Sequence, residues 1–179
     1  MDERIIVSGF GGQGVILMGR LLAHSGLSEG RHVTCLPSYG PEMRGGTAHS
    51  FVTVSDRRIG SPLFSNPSVL IAMNRPSLDR FESSVEPGGC ILVNSFMIDR
   101  EVDRDDLAIA DIAATAIAAE MGDVRVANMV ALGAFISVRP IIDLESLISS
   151  MRKILKRHEM ASLNEQAIRK GASSVRVRR

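Results

Sequence analysis

The sequence predicts an α/β protein: a three-layer, Rossmann-like domain with a mainly parallel sheet, helices on both faces and a helical C-terminal third. Three observations support this class. Short, continuous apolar runs alternate with amphipathic segments, as in sheets whose strands are buried on both faces. A glycine-rich turn joins the first apolar run to the first amphipathic segment. The last third of the chain has helical periodicity.

Apolar runs and helical periodicity place the elements in order along the chain. The strand beginning at residue 47 is rich in β-branched residues with patchy alternation, which predicts an antiparallel strand at one side of the sheet. Pro37 is expected to stop the preceding strand, Gly122 to end one helix and Asp143 to cap the start of another. The basic C-terminal residues are expected to form a frayed, solvated end. We predict strands at residues 5–8, 32–37, 47–56, 68–74 and 90–97, and helices at 13–26, 76–86, 111–122, 126–138, 144–157 and 159–171.

Bulk properties indicate a single domain over residues 1–179. The net charge of +1 gives no general attraction for nucleic acid or an anionic membrane, so we expect neither as a partner. No apolar stretch reaches the length of a membrane span and no signal-type segment occurs, so a cytoplasmic location is expected. Cys35 and Cys90 are isolated and the four histidines lack metal-ligand spacing, which predicts free thiols and no metal site in this chain.

The glycine-rich turn after the first strand is the clearest functional feature. It has the spacing G-x-G-x-x-G, and glycine lets the main chain come close to a ligand. The helix that follows presents unpaired N–H groups and the positive end of its dipole, which suit a phosphate. The candidate binding residues in this turn are Gly9, Gly11, Gly12, Gln13 and Gly14.

A nicotinamide dinucleotide site would need an acidic residue at the end of the second strand, to bind the ribose hydroxyls. That strand ends in Leu36, Pro37 and Ser38, so the acid is missing. A stand-alone nucleotide-dependent dehydrogenase therefore stays only as an alternative. A second alternative is a non-catalytic assembly module, in which the glycines serve close helix–strand packing and bind nothing.

A second glycine-rich segment, PSYGPEMRGG, follows the second strand. In it, Tyr39 offers a flat face and a hydroxyl, Arg44 can pair with a phosphate or a carboxylate, and Gly45 and Gly46 close the segment. Loops at the carboxyl ends of strands form the ligand crevice of an α/β sheet. If the first two strands are parallel neighbours, both glycine-rich segments face one crevice.

These residues resemble the gamma subunit of the 2-oxoacid:ferredoxin oxidoreductases, a family that acts on pyruvate, 2-oxoglutarate and branched-chain 2-oxoisovalerate. The resemblance runs from about residue 4 to residue 137, through GFGGQGVILMG, PSYGPEMRGGTA, IGSPLFSNPSVLIAMN, PGGCILVNS and NMVALGAF. The glycine motif and SYGPEMRGG together are much more specific than either alone.

The resemblance implies one subunit of a complex that converts a 2-oxoacid, coenzyme A and oxidised ferredoxin into an acyl-CoA, carbon dioxide and reduced ferredoxin. Its expected partners are alpha and beta subunits, with a delta subunit as a further candidate, and ferredoxin through the complex. Thiamine diphosphate, magnesium and iron–sulfur clusters would lie on those partners, and the gamma subunit would bind coenzyme A. Alone, the chain would be inactive and would expose apolar surface, with a homodimer as one expected form.

The resemblance also assigns roles to both glycine-rich segments. The predicted contacts are main-chain N–H groups of Gly11, Gly12, Gln13 and Gly14 to a phosphate of coenzyme A, charge from Arg44, and crevice walls from Tyr39, Gly45 and Gly46. No catalytic residue is predicted, and no role is assigned to Glu42. His49 is expected to be structural, and Asn128 either lines the same crevice or, as we expect, is fixed by packing at the start of its helix. The sequence does not specify which 2-oxoacid is used, because selection would occur at the thiamine site on other chains.

Overall fold

The computed structural model describes residues 1–40, 46–155 and 158–178. In this part of the chain seven strands form one sheet and six helices pack around it, which confirms the predicted α/β class and helical C-terminal third. The strands are β1 (Asp2–Phe10), β2 (His32–Tyr39), β3 (Thr47–Ser55), β4 (Val69–Ala72), β5 (Cys90–Asn94), β6 (Ala108–Ile112) and β7 (Arg176–Arg178). The helices are α1 (Val15–Ser28), α2 (Arg75–Phe81), α3 (Ala114–Glu120), α4 (Ala127–Val138), α5 (Leu144–Ile154) and α6 (His158–Ser174).

The strands are arranged in the order β2-β3-β1-β4-β5-β6-β7. Parallel pairing joins β1, β4, β5 and β6, whereas β3 is antiparallel to both of its neighbours and β7 is antiparallel to β6. The prediction that β3 is antiparallel is confirmed, and its place is second from one edge, between β2 and β1. The strands β1 and β2 therefore run in the same direction without being neighbours.

Each face of the sheet has its own apolar cluster, because successive residues of a strand point to opposite faces. In β1, Ile5 and Val7 join the larger cluster, which α1 and the C-terminal helices cover, while Ile6 joins the smaller cluster under α2. Ten of the 12 residues of α4 are buried, which explains why this helix is apolar nearly all round. Helices therefore lie on both faces, as predicted.

The strand β6 was not predicted. The sequence pattern favours a helix over residues 111–122, but α3 begins only at Ala114 and the preceding residues extend the sheet. Ile109 and Ile112 bury their side chains on opposite faces beside β5, and this burial outweighs the helix propensity of the neighbouring alanines. After α3, Gly122 has a φ of 93°, a conformation that suits the predicted helix-ending glycine.

The two edge strands also differ from the prediction. Arg176–Arg178 form β7 and are not frayed, although they are exposed as expected, because Arg178 donates to Asp111 Oδ1 at 3.0 Å and to Glu101 Oε1 at 3.1 Å. At the opposite edge, β2 continues through Pro37 to Tyr39. An edge strand tolerates proline, which has no N–H group to donate to a neighbouring strand.

The helices α4 and α6 cross at two glycines. A Cβ on Gly133 would lie 1.8 Å from the carbonyl oxygen of Ile168, and a Cβ on Gly171 would lie 1.9 Å from that of Val130. No side chain fits in either place, so glycine is required for this approach. The crossing fixes the last helix against the buried helix of the core.

Asp143 caps α5, as predicted, and its Oδ2 accepts hydrogen bonds from the N–H groups of Glu145 at 2.9 Å and Ser146 at 3.2 Å. Asp143→Ala is expected to lower the free energy of unfolding by about 1 kcal/mol, because both N–H groups lose this acceptor. Urea denaturation measures the change. Asp143→Asn keeps a side-chain acceptor and is the control; an equal loss in both variants would contradict the capping role.

Candidate functional site

The glycine turn lies between the carboxyl end of β1 and the start of α1. The end of β1 is opposite the start of β3, where Phe10 pairs with Thr47. Beyond this pair, the N–H group of Gly11 donates to the carbonyl of Gly46 at 2.9 Å. The end of the second glycine-rich segment therefore contacts the turn, although β3 separates the two strands that precede these segments.

The four glycines of the turn form two pairs with different surroundings. A Cβ would meet neighbouring side-chain atoms at 2.7 Å on Gly9 and at 2.3 Å on Gly14. On Gly11 the nearest described atom would be 3.7 Å away, and on Gly12 none lies within 4 Å. Close packing therefore accounts for Gly9 and Gly14, whereas Gly11 and Gly12 are exposed.

Two of the N–H groups predicted to bind phosphate are engaged within the protein. The Gly11 N–H forms the contact described above, and the Gln13 N–H donates to the carbonyl of Phe10 at 3.1 Å. The N–H groups of Gly12 and Gly14 have no hydrogen-bond partner among the described residues, and both glycines have positive φ, 98° and 73°. Phosphate binding stays a prediction, and the amides available for it are those of Gly12, Gly14 and the uncapped first turn of α1.

The side chain of Gln13 points into the protein. Its Oε1 accepts from the Phe10 N–H at 2.7 Å and from Asn74 Nδ2 at 3.0 Å, and its Nε2 donates to the carbonyl of Met73 at 3.3 Å. The same carbonyl accepts from Asn94 Nδ2 at 3.2 Å. A network of side-chain amides therefore joins the carboxyl ends of β1, β4 and β5 beneath the turn.

Two members of this network, Asn74 and Asn94, were not among the predicted site residues. Both are 1% exposed, and Asn74 also caps α2 by accepting from the Ser77 N–H at 3.0 Å. The available signal was a polar residue at the end of a continuous apolar run, because such residues lie at the crevice end of a parallel sheet.

A cavity of about 460 Å³ lies between the first turn of α1, the start of α4 and the residues where α5 ends and α6 begins, and no residue of the glycine turn lines it. Asn128, in the first turn of α4, connects the two: it lines the cavity, its amide lies against Gly14, and it is 5% exposed. Most of the remaining wall is formed by apolar side chains, among them Leu17, Met129 and Ile154. Through Asn128, the turn therefore borders a largely apolar cavity.

The second glycine-rich segment is described only in part. Tyr39 ends β2 with its side chain 70% exposed. Gly46 is buried, and its carbonyl accepts the hydrogen bond from the Gly11 N–H group of the glycine turn. Arg44 and Gly45 lie outside the described residues, so their contribution to binding stays a prediction.

His49 lies on β3 and is buried. Its ring packs edge-on against Phe51 and Phe81, with centroid distances of 5.4 Å and 5.2 Å, and its Nδ1 has no hydrogen-bond partner in the described part of the chain. Burial, together with the positive charge of Arg80, lowers the pKa of His49. The neutral, aromatic-packed ring fits the structural role expected for this residue.

Acidification is expected to destabilise the fold through His49. The folded state favours the neutral ring, whereas the unfolded chain protonates normally. The contribution of His49 to the free energy of unfolding is therefore complete above about pH 6.5 and decreases at lower pH. His49→Phe is expected to reduce the loss of stability between about pH 7.5 and about pH 5.5, measured by urea unfolding. The exposed residue His32 provides the control His32→Gln. An unchanged pH dependence in His49→Phe would contradict the prediction.

Cys35 and Cys90 are free thiols, as predicted. Burial raises the pKa of both thiols, that of Cys90 to about 11. Over residues 1–40, 46–155 and 158–178, no group of three or more His, Cys, Asp or Glu side chains could hold a metal ion. No helix in these ranges is long and apolar enough to cross a membrane.

Comparison with known proteins gives a consistent result. The family model for pyruvate ferredoxin/flavodoxin oxidoreductase matches residues 4–174. The ketoisovalerate oxidoreductase subunit VorA of Methanothermobacter marburgensis is 42% identical over 137 residues, which cover 76% of this chain and 28% of VorA. The 2-oxoglutarate synthase subunit KorC of Methanocaldococcus jannaschii is 34% identical over 150 residues, which cover 82% of this chain and 80% of KorC.

Solved structures with this fold include the gamma subunit of a keto/oxoacid ferredoxin oxidoreductase from Geobacter sulfurreducens PCA. It matches with a TM-score of 0.82 and 27% identity, over 96% of each chain. The 2-oxoglutarate:ferredoxin oxidoreductase from Magnetococcus marinus, solved with 2-oxoglutarate, coenzyme A and succinyl-CoA bound, matches with a TM-score of 0.88 and 26% identity. This match covers 96% of the present chain and 30% of that chain.

The chain therefore belongs to the pyruvate ferredoxin/flavodoxin oxidoreductase family. Within that family it is of the gamma-subunit type, which confirms the resemblance carried by the two glycine-rich segments. It spans 28% of the length of VorA and 30% of the Magnetococcus marinus chain.

Proposed function

We propose that this chain acts as the gamma subunit of a multi-subunit 2-oxoacid:ferredoxin oxidoreductase and contributes part of its coenzyme A site. The complex would convert a 2-oxoacid, coenzyme A and oxidised ferredoxin into an acyl-CoA, carbon dioxide and reduced ferredoxin. Thiamine diphosphate on partner subunits supplies the decarboxylation chemistry when bound. This chain would hold and orient coenzyme A, the acyl acceptor.

The observation that carries the proposal is that the N–H groups of Gly12 and Gly14 have no hydrogen-bond partner within residues 1–40, 46–155 and 158–178. They immediately precede α1, whose 14 residues place a positive dipole end at the turn. A phosphate of coenzyme A would accept hydrogen bonds from these two N–H groups and from the first turn of α1. Arg44, predicted from the sequence, would add positive charge from the neighbouring segment.

The apolar cavity supports the same ligand. Coenzyme A joins a strongly charged nucleotide end to a long, less polar arm that ends in the thiol, and apolar walls suit that arm. Asn128 offers a polar contact where the cavity meets the turn. The Magnetococcus marinus enzyme was solved with coenzyme A bound, and our proposal extends this ligand to the present chain.

The proposed reaction needs the thiol of coenzyme A to reach an acyl group formed on another subunit. The site should therefore lie near a subunit interface, because transfer requires the reacting atoms to be held close together. The exposed Tyr39 at the end of β2 is suitably placed on this chain to contact a partner subunit. Selection of the 2-oxoacid would belong to the partner that holds the thiamine.

Gly12→Asp tests the proposal in the assembled complex. The new carboxylate would repel a phosphate at the amides, so we expect the KM for coenzyme A to rise about tenfold or more, with kcat at saturating coenzyme A nearly unchanged. Gly30→Asp is the control, because Gly30 also has positive φ, 76°, and a Cβ there meets nothing within 4 Å. An unchanged KM in Gly12→Asp would refute the phosphate role.

The close packing at Gly9 and Gly14 favours a second candidate, an assembly module whose glycines serve packing alone. Titration of the complex with coenzyme A and with NAD distinguishes the possibilities. Coenzyme A binding that Gly12→Asp weakens supports the proposed subunit role, and NAD binding would support a dehydrogenase. Binding of neither ligand would leave the assembly module.

A further inference from the structure

The Gln13 side chain connects three separate points beneath the glycine turn. Its Oε1 accepts two hydrogen bonds, from Phe10 at the end of β1 and from Asn74 at the start of α2. Its Nε2 donates to Met73, the residue after β4. The carboxamide is therefore committed to the protein interior, and binding a ligand with it would break these contacts.

Gly9 makes room for this arrangement. A Cβ at Gly9 would lie 2.7 Å from Gln13 Oε1 and 3.0 Å from Met73 Cβ. Any larger residue would displace the carboxamide from its position. The first glycine of the motif is therefore explained by the inward side chain of Gln13 together with Met73 and Val15, whose Cγ1 would lie 2.8 Å from the new Cβ.

Phe10 is the residue at which the chain leaves the sheet. Its N–H group donates to the Gln13 side chain at 2.7 Å, and its carbonyl accepts from the Gln13 N–H at 3.1 Å. These two bonds close the turn over residues 10–13, which contains Gly12. The hydrogen bonds between Phe10 and Gln13 therefore constrain the conformation of Gly12.

We propose that Gln13 is a positioning residue for the coenzyme A site. Its side chain holds the turn over residues 10–13 in the shape that directs the N–H groups of Gly12 and Gly14 to a phosphate. Without the carboxamide, the Phe10 N–H and the Asn74 amide lose their acceptor, and the turn rearranges to satisfy them. This inference rests on the proposed function.

Gln13→Met tests the role, since methionine has a similar length and forms no comparable hydrogen bonds. In the assembled complex we expect the KM for coenzyme A to rise about tenfold while kcat at saturating coenzyme A changes less than about twofold. In the full chain, the amide hydrogen of Phe10 is expected to exchange about tenfold faster, measured by NMR. Gln166→Met is the control, because Gln166 is exposed and its side chain hydrogen-bonds only to Ser162 among the described residues.

Gln13→Glu supplies a test that a merely structural role would not satisfy. The carboxylate can accept from Phe10 and Asn74, but it turns a negative oxygen towards the carbonyl of Met73. Burial beside this carbonyl is expected to raise the pKa of the introduced carboxyl group, and its protonation restores the donor. The KM of this variant, divided by that of the wild type at the same pH, is therefore expected to fall as the pH is lowered from about 8 to about 6.

The outcomes separate this inference from the proposed function. A raised KM in Gly12→Asp with an unchanged KM in Gln13→Met would overturn the positioning role alone. An unchanged KM in both variants would overturn the proposed function and the inference with it. A KM ratio independent of pH in Gln13→Glu would also count against the positioning role. Raised KM values in both variants, with faster exchange at Phe10, would support it.

Discussion

Replacing Gly133 with alanine is expected to lower the free energy of unfolding by about 3 kcal/mol. The new Cβ would lie 1.8 Å from the carbonyl oxygen of Ile168, so α4 and α6 would have to separate. Alanine gains about 1 kcal/mol of helix propensity over glycine, and the clash outweighs this gain. Gly171→Ala, where the Cβ would lie 1.9 Å from the Val130 carbonyl, probes the same crossing from the opposite helix.

Gly60→Ala is the control for this experiment, because a Cβ there meets nothing within 4 Å. We expect its stability in urea denaturation to stay within about 0.5 kcal/mol of the wild type. In the double variant with alanine at Gly133 and Gly171, the free energy of unfolding should fall by less than the sum of the two single-variant losses, since one alanine already separates the helices. A Gly133→Ala chain as stable as the wild type would contradict the close crossing.

Gly14→Ala is expected to cost about 3 kcal/mol of folding stability, from two causes. The φ of 73° is unfavourable for alanine by about 1 kcal/mol. The Cβ would also lie 2.3 Å from Asn128 Nδ2, and displacing this buried amide adds about 2 kcal/mol. Urea denaturation measures the total.

Two further variants separate these causes. Gly30→Ala, at a φ of 76° with nothing within 4 Å, carries the backbone cost alone, about 1 kcal/mol. In an Asn128→Ala background, Gly14→Ala should cost less than in the wild type, because the amide it displaces is gone. Equal costs for Gly14→Ala and Gly30→Ala would show that Asn128 does not restrict this position.

Much of the fold could be predicted because local patterns agree with the final structure. The apolar run of β1, the glycine turn and the periodicity of α1 are contiguous in sequence, and the buried helix α4 is apolar nearly all round. The strand β6 could not be recognised, because its alanines favour a helix and only pairing with β5 makes it a strand. The strand β7 depends similarly on pairing with β6 and on the ion pairs of Arg178.

The position of the candidate site could be predicted from the sequence, but the N–H groups that are free to bind a ligand could not. Glycine spacing identifies the turn, since strand, turn and helix follow directly along the chain. Which N–H groups are engaged depends on distant partners: Gly46 meets Gly11 only because β3 returns beside β1. The inward direction of Gln13 likewise depends on Asn74 and Met73, which follow a different strand.

The outer strands of the sheet bear on how this chain behaves at high concentration. The strand β7 has only three residues, and its two arginines, Arg176 and Arg178, put charge along that border. At the other border, Pro37 interrupts the row of amide hydrogens that β2 could offer to an incoming strand. Both features hinder lateral growth of the sheet by a second copy. Fibril-like aggregation through these two strands is therefore disfavoured.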